Sequence, residues 1–75
     1  MKVLKKGALC ELLEIDGTIR LYCEGVTKQR QESIIESTKG LGEVRSKCRG
    51  GVGGALIIDF TDMELVEFII QEVLV

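Results

Sequence analysis

Gly50, Gly51, Gly53 and Gly54, flanked by Lys47 and Arg49, are the densest candidate for ligand chemistry in the chain. Successive backbone N–H groups in such a run can turn inward and hold an anion. Two adjacent cations would strengthen that pull. Neither nucleotide-loop spacing is met, however. A dinucleotide fingerprint needs G-x-G-x-x-G, and Leu56 stands where the third glycine would be. A phosphate loop of the G-x-x-x-x-G-K-[ST] kind needs a lysine that does not follow Gly53 or Gly54. The favoured reading is a glycine-rich connection between two strands, where small residues let another backbone pass close. The alternative is an amide nest that binds a small anionic ligand without catalysis.

Cys10, Cys23 and Cys48 are the only thiols, and histidine is absent. Three cysteines with no C-x-x-C pair do not make a zinc site, so no metal is expected. Cys10 and Cys23 fall opposite each other in a hairpin turning at Asp16-Gly17, at a position where Cβ atoms approach closely. A bridge is geometrically feasible there, but small buried hydrophobes are the favoured reading. Without histidine there is no evident acid–base or nucleophile–base pair among the carboxylates and serines. No catalytic residue, enzyme activity or cofactor is expected.

The third candidate is basic. In "GEVRSKCRGG", residues 42–51, alternation puts Arg45, Lys47 and Arg49 on one side and Val44, Ser46 and Cys48 on the other. With Arg20, Lys28 and Arg30 they are candidates to track a nucleic-acid backbone. Tyr22 is the one aromatic expected to be free for stacking, which is poor for a single-strand platform. The simpler reading is a solvated face or a charged edge that blocks aggregation.

These residues need a scaffold. "ALCELLEI" and "TIRLYCEG" flank Asp16-Gly17, a strong two-residue hairpin signal because both positions tolerate positive φ. The turn pairs Ile15 with Thr18, and thus Leu12 with Leu21 and Cys10 with Cys23. Val26 to Gly40 reads as a helix capped by Thr27 and closed by Gly40. "ALIIDF", residues 55–60, reads as a central strand. "TDME" then opens a last helix, with Thr61 as its cap and Glu64 reaching back. The resulting order is ββαββα, a two-layer α+β sandwich with two helices on a mainly antiparallel four-stranded sheet. The N-terminal Lys2, Lys5 and Lys6 read only as a basic end.

The last helix is apolar around most of its circumference. Met63, Val66, Phe68, Ile69, Ile70, Val73 and Leu74 leave only a narrow polar strip. Packing on one sheet face requires about a 100° apolar stripe. The excess predicts a protein interface, with a second copy of the chain as the natural partner, most simply in a dimer, or else another protein.

Seventy-five residues make one domain with a marginal core of its own. Residues 1–49 hold all ten lysines and arginines with seven acids, a net of +3, whereas residues 50–75 hold five acids and no base. Such asymmetry favours attraction between halves, within or between subunits. No apolar span reaches the length of a membrane crossing, so no membrane partner is expected. A basic start without an apolar run after it and sparse cysteine suggest a cytoplasmic setting. The expectation is a non-enzymatic protein-interaction or regulatory module, with nucleic-acid binding as the alternative.

Overall fold

The structure is a computed structural model that describes residues 1–49 and 54–74. Five strands form one antiparallel sheet: β1 (Lys2–Lys6), β2 (Cys10–Ile15), β3 (Thr18–Glu24), β4 (Glu43–Ser46) and β5 (Ala55–Phe60). Their spatial order is β1-β2-β3-β5-β4. Helix α1 (Lys28–Ser37) joins β3 to β4, and a helical segment follows β5. The class is α+β as expected, but the expected four-stranded ββαββα order is corrected to βββαββα by a fifth strand. That strand is the lysine-rich N-terminus, whose pairing with β2 puts Lys5 opposite Leu12 and Lys6 opposite Glu11. Lysine is common on exposed edges because its charge deters further pairing.

The hairpin follows from its turn. Asp16 (φ 49°) and Gly17 (φ 80°) both take positive φ, which matches the twist of the flanking strands. Every pair from Ile15↔Thr18 to Cys10↔Cys23 has the register read from the sequence. Period-two alternation then puts Cys10, Leu12, Ile19, Leu21 and Cys23 on one face, where β5 adds Leu56, Ile58 and Phe60. Ile34 of α1 and Ile69 and Val73 of the C-terminal segment join this cluster. Both helical elements therefore cover the same face of the sheet.

Helix α1 starts at Thr27, whose Oγ1 accepts from the Arg30 N–H at 3.1 Å. Its buried side chains are Gln31 and Ile34. Gln31 fills an interior position and uses its amide as a strand would. Its Oε1 accepts from the Cys48 N–H at 2.6 Å, and its Nε2 donates to the Cys48 carbonyl at 3.4 Å. The helix is thereby tied to the chain just past β4.

The C-terminal segment departs from the expected regular helix. Asp62, not Thr61, is its cap, with Oδ1 accepting from the Glu64 N–H at 2.9 Å. A 3₁₀ turn (Met63–Leu65) leads into one α-turn, α2 (Val66–Ile69), and then a π-turn (Ile70–Leu74). The last turn lies against β1 and β2. No helix among the described residues is long and apolar enough to cross a membrane.

Candidate functional site

The seven apolar residues of the C-terminal segment divide by burial. Ile69 and Val73 are core residues of this chain, and Val66, Ile70 and Leu74 are half-buried against that core. Met63 and Phe68 remain exposed, at 44% and 38%. The face available to a partner is thus narrower than the expected seven residues, because the sheet takes the middle of the stripe. Asp62, Glu64, Glu67 and Glu72 are exposed on the same segment, with no base among residues 54–74. None of those four acids takes part in a salt bridge among the described residues.

The basic residues are not gathered into one surface. Arg20 lies on the open face of the sheet, opposite the helices, in a row running Val3, Leu13, Arg20, Asp59, Glu43. Asp59 engages it in a two-pronged ion pair, with Nε to Oδ1 at 2.8 Å and Nη2 to Oδ2 at 3.0 Å. Arg45 also donates to Asp59 Oδ2 at 3.1 Å and reaches Glu43 at 3.3 Å. Two arginines and two carboxylates neutralise one another, which lowers the field that face presents to a phosphate chain. The Arg20 hydrogen bond holds the Asp59 carboxyl below its ordinary range, against the opposing pull of burial.

Lys28 and Arg30 belong to α1, on the other layer. Arg30 Nη2 donates to the Val73 carbonyl at 2.8 Å, so its charge complements the negative end of the C-terminal segment. Beside it opens a cavity of about 170 Å³ lined by Gly7, Leu9, Cys10, Val26 and Leu74. Lys47 and Arg49 are exposed, beyond the last residue of β4.

The expected clean alternation over residues 42–51 is corrected. β4 ends at Ser46, and a bulge at Arg45 sets Val44 opposite Ile58 and Ser46 opposite Ile57. Val44 and Ser46 therefore fall on opposite faces.

Of the glycine candidates, Gly50, Gly51 and Gly53 lie outside the described residues. Gly54 has φ +92° and sits close to the backbone of Lys47 and Cys48, immediately before β5. β5 is a strand, as expected, so no helix begins directly after Gly54.

Cys10 and Cys23 are joined as a disulfide across β2 and β3, with Cα atoms 4.0 Å apart. This corrects their reading as unlinked hydrophobes, although both are core residues as well. Cys48 is a free, half-buried thiol. Among the described residues no group of three or more His, Cys, Asp or Glu is arranged to hold a metal ion.

Two features escaped sequence reasoning. Asp59, the partner of Arg20 and Arg45, is distant from both in sequence, and nothing local announces the pairing. Lys2 and Lys5 enter the picture only once β1 is paired.

No protein-family model, no curated protein and no solved structure matches this chain.

Proposed function

We propose that this chain is a non-enzymatic protein-interaction module that self-associates through the outer face of its C-terminal helical segment. One observation carries the reading. After Ile69 and Val73 have entered the core, the segment still exposes Met63 and Phe68, interspersed in sequence with four exposed acids. Large apolar side chains interspersed with charge have the composition of an interface centre and its polar rim. The nucleic-acid alternative has less behind it, because Asp59 and Glu43 occupy Arg20 and Arg45. The glycine-loop ligand has no described geometry to draw on.

Sedimentation velocity over a range of protein concentrations tests the proposal. The wild-type chain is expected to associate reversibly. Phe68→Ser is expected to weaken association at least tenfold, about 1.4 kcal/mol, while leaving the circular dichroism spectrum unchanged. A wild-type chain that stays monomeric throughout, or a Phe68→Ser variant that associates equally well, defeats it.

A further inference from the structure

The acids that share the C-terminal segment with Met63 and Phe68 have a counterpart on the same molecule. In the β1–β2 register, Lys5 lies opposite Leu12 and Lys2 opposite Glu14. Leu12 is on the helix-covered side of the sheet, so Lys2 and Lys5 project on that side too. β1 is an edge strand, and the Ile70–Leu74 turn packs beside it. Lys2 and Lys5 are exposed and form no salt bridge among the described residues. The bases of β1 and the acids of the C-terminal segment therefore lie on the same side of the sheet: the segment leaves β5 with Met63, Glu64, Glu67 and Phe68 and brings its last turn against β1.

Two patches of opposite sign on one side of a molecule are self-complementary. A two-fold axis lying between the patches sets the acids of each copy against the lysines of the other. Both contacts form at once, as closed isologous symmetry requires. Lysine stems can cover an aromatic ring while their ammonium groups reach the segment's carboxylates. Strand-to-strand pairing is a poor rival, because β1 carries both lysines and a bulge between Val3 and Lys5.

We infer that the surface docking on Met63 and Phe68 is the Lys2/Lys5 edge of β1 in a second copy of this chain. This rests on the self-association proposed above and names the surface that completes it.

Charge reversal tests it. Lys2→Glu/Lys5→Glu is one double variant, and Glu64→Lys/Glu67→Lys is the other. Each alone faces like charge across both halves of the interface and is expected to self-associate at least about tenfold more weakly at low salt. Mixed together, each variant presents what the other lacks, and a heterodimer is expected to form at near wild-type affinity. Native mass spectrometry with one partner isotope-labelled reads that heterodimer directly. If both variants self-associate like wild type while Phe68→Ser does not, the β1 docking surface is wrong and the helical interface stands. If each variant alone is weakened but the mixture does not recover, the pairing of these two patches is wrong. A monomeric wild-type chain removes both proposals.

Discussion

Single side chains on this fold carry separable tasks, and Asp59 and Gly42 show two of them. Asp59 collects Arg20 and Arg45 on the open face and has its carboxyl pKa lowered chiefly by the Arg20 hydrogen bond. A carboxyl depressed in the folded state contributes stability above its ordinary unfolded value, near about 4. That contribution is lost as pH falls through the depressed value. Urea midpoints measured down an acid series should therefore fall more steeply for wild type than for Asp59→Asn. The variant should also be the less stable of the two at neutral pH. Parallel curves would show that the pair adds nothing pH-dependent. Gly42 acts by absence of a side chain. A Cβ there would stand 2.6 Å from Phe60 Cδ1 and 2.8 Å from the Asp59 carbonyl oxygen. Phe60 is fully buried and has no room to yield. Gly42→Ala is expected to cost about 1–3 kcal/mol in denaturant unfolding, and a loss indistinguishable from zero would contradict the close approach.

At the scale of elements, legibility tracked how local the cause was. The hairpin was readable to the residue because Asp16-Gly17 fixes a two-residue turn and the turn fixes the register. The start of α1 is legible because its cap, Thr27, acts within one turn, but its end is corrected: the helix stops at Ser37 with Thr38 as its C-cap, short of the expected Gly40. β5 stood out as a β-branched run. β1 was missed because an edge strand that guards itself with lysines looks like a solvated tail. The bulge at Arg45 was invisible because it answers to Asp59 and Ile57 across the sheet rather than to its own alternation. The sequence puts the N-cap of the C-terminal segment one residue early, since Thr61 and Asp62 are both good N-caps and only the path out of β5 chooses between them. Of the candidate site, the excess apolar stripe was legible in the segment itself. The basic face was not, since its neutralisation depends on contacts 14 and 39 residues apart in sequence. The tie between α1 and the chain after β4 can be tested at this scale. Gln31→Ala leaves the part-buried Cys48 N–H without its partner and should cost about 1–3 kcal/mol. Hydrogen exchange at the Cys48 amide should accelerate with it, and an unchanged rate would mean that the amide is held by something else.

Over the whole molecule, a small core is helped by one covalent link. The Cys10–Cys23 bridge closes a loop of sequence separation 13, which restricts the unfolded chain by at most about 3 kcal/mol in the chain-entropy picture. Reductant should lower the unfolding midpoint accordingly, and identical midpoints with and without it would show that the thiols are not joined in solution. The link leaves the architecture one-sided. Helices cover one face of the sheet, and the other carries half-buried Tyr22 and Ile57 beside the Asp59 ion pairs.

That bare face also contains the molecule's sole strong intrinsic fluorophore, since Tyr22 is the one tyrosine and tryptophan is absent. Emission from the native chain thus reports on one side alone. A partner that settles over the open sheet should quench or shift it, whereas a second copy gripping the helical side should leave it silent. The protein carries its own optical indicator of which way round it is being held.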